Sequence, residues 1–157
     1  DRMIATQFLK REHNATKRLF GELRRTVPRA RRKRRELVER IAAELEIHAQ
    51  IEEELFYPAV DALGDARHLV GEARADHEAV RDVLRELEAL DPTDASFGAK
   101  AEELREIVLA HATDEELDLF PLAERLDADR LARIGAELDA RKRELQQRVP
   151  AGRSTAA

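Results

Sequence analysis

The segments HAQIEEELFYP (48–58) and HATDEELDLFP (111–121) are near copies of one another. Each reads His-x-x-x-Glu-Glu with a proline ten residues after the histidine. A second pattern is duplicated upstream: EHNATK (12–17) and DHEAVR (76–81) share acid, His, any residue, Ala, any residue, base. His48 follows His13 by 35 residues and His111 follows His77 by 34. The chain is therefore built from two similar halves, each with one lone histidine and one His-x-x-x-Glu. Residues four apart share a helix face, so each His-x-x-x-Glu aims an imidazole and a carboxylate the same way.

Hydrophobic periodicity places these residues on helices. Leu9, His13, Thr16, Phe20, Leu23 and Val27 keep near-heptad spacing and predict a first helix over about 4–26, stopping near Pro28. Ile41, Leu45, His48, Glu52, Leu55 and Ala59 form the stripe of a second helix ending near Ala62, with Pro58 expected to bend its last turns. Val70, Ala73, His77, Val80, Leu84 and Leu87 mark a third over about 66–90. Ala101, Leu104, Val108, His111, Glu115 and Leu119 mark a fourth over about 95–125, after an Asp91-to-Asp94 turn carrying capping residues. Leu131, Ile134, Leu138 and Leu145 suggest a fifth helix on the side or end of the assembly. The expected fold is all-α: an up-down-up-down four-helix bundle with an additional C-terminal helix, one domain over residues 1–149 and a disordered tail over 150–157.

Charged residues make up 39% of the 157 and aromatics 4%, a balance that favours helix over strand. Cysteine is absent, which excludes disulfides and thiolate metal sites and leaves nitrogen and oxygen as the only donors for a metal. With no apolar run long enough for a membrane span and no signal-peptide core, a cytoplasmic protein without a membrane partner is expected. The net charge of −5 conceals an asymmetry, since eight basic residues and no acid lie between Arg24 and Arg35. No aromatic platform or DNA-reading motif accompanies them, so a solvated helix face is expected rather than a nucleic-acid site.

One histidine on an apolar stripe is ordinarily a hydrogen-bonded core residue. Four on four helices, with Glu52 and Glu115 beside them, are different: buried carboxylates cost several kcal/mol, on the order expected for desolvated charge, unless paired or bound to a cation. His13, His48, Glu52, His77, His111 and Glu115 are accordingly the candidate metal ligands. Glu53, Glu54 and Glu116 fall off the stripe and are expected to face water or to support the ligands. His68 lies outside both repeats and is expected to be exposed. Lys17 and Arg81, one turn beyond the lone histidines, are expected to form ion pairs.

Ferritin-like di-iron bundles use Glu-x-x-His, and no histidine here has a glutamate three residues before it. The opposite polarity, His-x-x-x-Glu followed by Phe-Tyr-Pro or Leu-Phe-Pro, resembles the hemerythrin family, specifically bacterial hemerythrin-like HHE cation-binding domains, over about residues 4–125. The resemblance implies two Fe ions joined by an oxo or hydroxo bridge. His13 and His48 would bind one iron and His77 and His111 the other, with Glu52 and Glu115 bridging. Animal hemerythrins carry His-x-x-x-His on the third helix; this chain has Arg81 in place of the second histidine. A more open pair of irons could then admit NO or peroxide, or recruit Glu53, Tyr57 or Glu78, although these three lie off the helical stripe. The functions implied are binding of dioxygen or a related diatomic for carriage, storage or sensing, turnover of peroxide or NO, or an iron-responsive bundle that metal stabilises.

Overall fold

The computed structural model describes residues 3–148, and among them every regular element is helical. The tail expected to be disordered, 150–157, lies outside the described residues. Helix α1 spans Ala5–Arg24. Helix α2 runs through Arg31–Ile51, a π-helical turn over Glu52–Phe56 and a last α-helical stretch, Tyr57–Asp61. Helix α3 spans Arg67–Ala89. Helix α4 repeats the plan of α2: Phe97–Asp114, a π-turn over Glu115–Leu119, then Phe120–Ala123. Helix α5 spans Ala128–Gln147.

Short connections force successive helices to run antiparallel. Gly64, at φ +86°, takes the left-handed conformation that reverses the chain between α2 and α3. Between α3 and α4 the Asp91 carboxylate accepts from the Thr93 N–H, and Asp94 accepts from the Ser96 N–H, both at 2.8 Å. These aspartates brace two successive turns, whereas the sequence suggested that this segment caps the helix itself. Ser96, at the N-cap of α4, makes no side-chain capping bond. By contrast Asp127 does cap α5, accepting from the Arg130 N–H at 2.8 Å.

Helices α1 and α2 pack as one hairpin and α3 and α4 as the other, and α5 lies against α1 and α2. Gly135 permits this docking, since a Cβ there would collide with the Met3 carbonyl oxygen and sit 3.0 Å from the Ile4 carbonyl carbon. The predicted stripes of α3 and α4 are buried throughout. On α1 the stripe ends at Leu23, and Val27 is exposed rather than inward. The stripe of α2 changes phase, because Phe56, Tyr57 and Val60 are buried with Ala59 while Leu55 is only partly covered.

Prolines explain the phase change. Pro58 and Pro121 cannot donate to the carbonyl four residues back, and their rings crowd it. Each helix widens by one residue just ahead of the ring, and the Tyr57 and Phe120 N–H groups bond to the Glu52 and Glu115 carbonyls five residues back.

Arg34 departs from the expectation of a solvated basic run. It is buried, donates to the Pro92 carbonyl at 2.8 Å and the Thr26 hydroxyl at 3.0 Å, and lies over the Phe97 ring. Its guanidinium satisfies the loop carbonyls at that end of the bundle. The core forms two apolar clusters, one around Phe8, Phe56, Val60 and Leu138 and the other around Phe20, Leu37, Ile41 and Leu104. The buried histidines and glutamates occupy the layer between them.

Candidate metal centre

The structure brings together all six candidate ligands. His13 comes from α1, His48 and Glu52 from α2, His77 from α3, and His111 and Glu115 from α4. Glu52 and Glu115 are almost wholly buried, and each histidine turns its Nε2 towards them. His48 Nε2 lies 3.0 Å and His77 Nε2 3.2 Å from Glu52 Oε1; His13 Nε2 lies 3.2 Å from Glu115 Oε1 and His111 Nε2 3.3 Å from Glu115 Oε2. Two groups of four result, His13, His48, Glu52, Glu115 and Glu52, His77, His111, Glu115, each with ligand atoms within 4.8 Å of one another. The carboxylates are common to both, so this geometry offers two adjacent cation positions joined by shared glutamates.

Unmet bonding at the centre fits this reading. The inward nitrogens of His13 and His48, Glu52 Oε2 and Glu115 Oε1 are buried without a hydrogen-bond partner. Orphaned polar atoms are costly in a core and rarely cluster without purpose. Four imidazoles and two carboxylates suit divalent first-row metals, and borderline nitrogen with hard oxygen donors favours no thiophilic ion.

Without a cation the charges must be arranged internally. Burial, with Glu115 alongside, raises the Glu52 carboxyl well above the usual range. Burial acts on Glu115 in the same direction, but the close approach of Glu52, His111 and His13 outweighs it and holds this carboxyl well below that range. Burial also lowers His48, with His13 adding to the effect, and lowers His77 to about 4, with His111 adding. His111 is raised: burial opposes its charge, yet Glu115 and Asp76 more than compensate. The rings of His48 and His77 are thus neutral near pH 7, the form in which imidazole binds a metal.

Outward-facing nitrogens meet a ring of carboxylates. His13 Nδ1 is 3.3 Å from Glu116, His111 Nδ1 is 3.0 Å from Asp76, and His77 Nδ1 is 3.7 Å from Glu53. The partners of His13 and His111 are within hydrogen-bond distance, where they fix ring orientation and raise donor strength, whereas His77 Nδ1 has no hydrogen-bond partner. Glu53 is held in turn by Arg81 at 2.9 Å, and Arg81 also pairs with Glu78 and Glu46. Arg81 is therefore an ion-pairing residue, as its spacing suggested. Glu54 faces solvent and pairs with Arg141, and His68 is exposed beside Glu72.

Tyr57 belongs to the centre, although its sequence spacing argued against it. Its hydroxyl donates to Glu115 Oε2 at 2.7 Å and lies 3.4 Å from Glu52, 3.2 Å from His77 Nε2 and 3.5 Å from His111 Nε2. In a regular α-helix the residue five beyond Glu52 would stand roughly 140° away from it. The π-turn removes most of that offset. Burial, with both glutamates nearby, raises the phenol far above its ordinary range, so it remains a donor. The equivalent residue of the second half is Phe120, which stacks on His13 as Tyr57 stacks on His77. The repeated proline was the available signal for both rings.

The Hemerythrin HHE cation binding domain profile matches residues 4–123. The chain belongs to this family. The HHE domain is 33% identical over 119 residues to the uncharacterized protein Rv2633c of Mycobacterium tuberculosis, covering 76% of this chain and 71% of that one. A crystal structure of an HHE domain-containing homologue of Rv2633c from Mycobacterium kansasii superposes with a TM-score of 0.84 at 26% identity, covering 92% of this chain and 88% of that one. A protein from Nostoc sp. named DNA nickase is 29% identical over 153 residues. This HHE chain is covered to 95% in that alignment but spans only 42% of the nickase. No helix among the described residues is long and apolar enough to cross a membrane.

Proposed function

We propose that this HHE domain holds two iron ions and binds dioxygen or a related diatomic for carriage, storage or sensing. The observation that carries this reading is a cavity of about 40 Å³ beside the centre, bordered by His13, His48, His77 and His111 and lined mainly by apolar side chains such as Leu45, Val80 and Val108, with Glu46 and Arg81 at it as well. A site for one water needs roughly 10–15 Å³, so this cavity suits a ligand of two or three heavy atoms. Its apolar wall favours a neutral guest. His13 and His48 would hold one ion, His77 and His111 the other, with Glu52 and Glu115 shared and a solvent-derived oxygen bridge completing the pair. When bound, the ions supply reversible electron transfer to the guest, while the surrounding leucine and valine side chains exclude water from it.

A second reading, turnover of peroxide or NO, is favoured by Tyr57. Cleaving a small oxidant requires a hydrogen-bond donor at the centre, and the buried Tyr57 hydroxyl, 2.7 Å from Glu115 and 3.2 Å from His77 Nε2, is one. Simple carriage has no such requirement.

Metal analysis and gas exposure test the proposal. Protein loaded with ferrous iron should contain two ions per chain, and dioxygen or NO should produce a visible absorption band that argon reverses. Fewer than one ion per chain would refute the two-metal centre. Irreversible oxidation would refute carriage, and catalytic loss of added peroxide that falls in Tyr57→Phe would establish the second reading in its place.

A further inference from the structure

The cavity beside the centre has a charged wall on one side only. Apart from the four histidines, Glu46 and Arg81 are the charged side chains that line it among the described residues, and both stand at the seam between α2 and α3, where one hairpin meets the other. Of the lining residues Glu46 alone is exposed, so the cavity approaches solvent at this seam. Arg81 spans it. From α3 its guanidinium reaches Glu53 at 2.9 Å and Glu46 at 3.5 Å, two residues of α2 that are seven apart and so share a helix face. Glu78, on the same helix as Arg81, holds the guanidinium at 2.6 Å. The repeat puts no such clamp on the opposite seam, between α1 and α4. Lys17 has the place of Arg81 there but is exposed and does not line the cavity, and Leu109 stands two residues before His111 as Glu46 stands two before His48.

We infer that Arg81 is the specificity-determining residue for entry to the cavity: clamped to Glu46 and Glu53 it closes the α2/α3 seam, and the three carboxylates around its one guanidinium turn away anions while neutral molecules of the same size pass. A guest enters when the planar fork leaves Glu46 and Glu53 and swings outward over α3, where Glu78 keeps hold of it. Ion pairs at this degree of exposure each hold by no more than about fivefold, so the seam opens by side-chain motion alone. An anion meets an excess of negative charge at the entrance, felt over about 8 Å at physiological salt. The inference rests on reading this cavity as the site of the small guest and does not depend on which metal the centre holds.

Xenon is a neutral probe of an apolar cavity, and its exchange with metal-free protein, followed by ¹²⁹Xe NMR, reads the seam without any metal. Arg81→Met should raise the exchange rate by about three- to tenfold. Arg81→Lys keeps the charge but loses the fork, and should raise it as well. Stopped-flow binding of azide to Co²⁺-loaded protein reads the passage of an anion. Glu46→Gln removes one negative charge, so azide should gain about two- to fourfold more than xenon relative to the native chain, and the excess should vanish at about 0.5 M salt. Arg81→Met should move the same ratio the other way. Xenon exchange unchanged in both Arg81 variants would overturn the closure, and an azide-to-xenon ratio unchanged in Glu46→Gln and Arg81→Met would overturn the selection by charge. Failure to bind Co²⁺, with xenon exchange altered as expected, would overturn the metal reading and leave the closure standing. Absence of bound xenon from the native chain would overturn the cavity as a guest site and the inference with it.

Discussion

Replacing Tyr57 with phenylalanine isolates one hydrogen bond in the middle of the protein. The ring is wholly buried, and Phe120 fills the equivalent place in the other half, so the bundle accommodates phenylalanine there without a cavity. What disappears is the hydroxyl that donates to Glu115 Oε2 at 2.7 Å; its distances to Glu52, His77 and His111 are longer, at 3.2–3.5 Å. Glu115 is the carboxylate held ionised, so the bond is charge-assisted and contributes about 1.5–3 kcal/mol. Urea unfolding of the metal-free Tyr57→Phe protein should show that loss with an unchanged m-value. At about 2–4 °C per kcal/mol for a chain of this size, the melting temperature should fall by about 3–12 °C. A double-mutant cycle with Glu115→Gln should return most of the same energy as coupling. With metal bound, the carboxylate oxygens have other partners and the difference should shrink. A loss below about 0.5 kcal/mol in the metal-free protein, or a coupling near zero, would refute the assignment of Tyr57 as the donor to an ionised Glu115.

Three further outcomes are expected. Gly135→Ala forces a methyl group against the Met3 carbonyl and should destabilise the protein by about 1–3 kcal/mol, with hydrogen exchange rising first in α5; normal stability would show that α5 docks differently. Arg34→Met leaves the Pro92 carbonyl without its buried donor and should cost about 1.5–3 kcal/mol in thermal or urea unfolding, whereas Lys33→Met, on the exposed side of the same run, should change little. His77 stays neutral in the metal-free fold down to about pH 4, while the unfolded ring takes up its proton near pH 6.5. Its contribution therefore falls as pH falls, and relative to His77→Leu the native chain should lose about 3 kcal/mol between pH 6.5 and 4; a gap independent of pH would refute the buried neutral ring.

Helical periodicity made the candidate ligands legible. Six polar residues interrupt apolar stripes at fixed spacing, and the repeat doubles the signal, so both the bundle and the ligand cluster can be read without coordinates. Reading failed where the period itself changes. A stripe drawn at 3.6 residues per turn through Glu52 turns Tyr57 away from the centre and Leu55 towards it, and the structure reverses both because the turn before Pro58 holds one residue more. Proline signals a disturbance, but its position alone does not announce that the turn before it takes up one more residue. Lys142 and Glu12 escaped notice for another reason: their pairing spans 130 residues and belongs to the docking of α5, which no repeat announces. Arg34 was hidden among equally basic neighbours, separable only by which face of α2 meets the Phe97 loop.

Two hairpins that meet as separate, identical chains must surround both metals alike, because a twofold axis copies every contact. Joining them in one chain removes that obligation. Tyr57 can then stand opposite Phe120, and one hairpin can carry a supporting helix that the other lacks. Here the covalent link between α2 and α3, reversed at Gly64, is a source of chemical diversity as well as a connection: it allows a cluster of near-perfect twofold pattern to present two different faces.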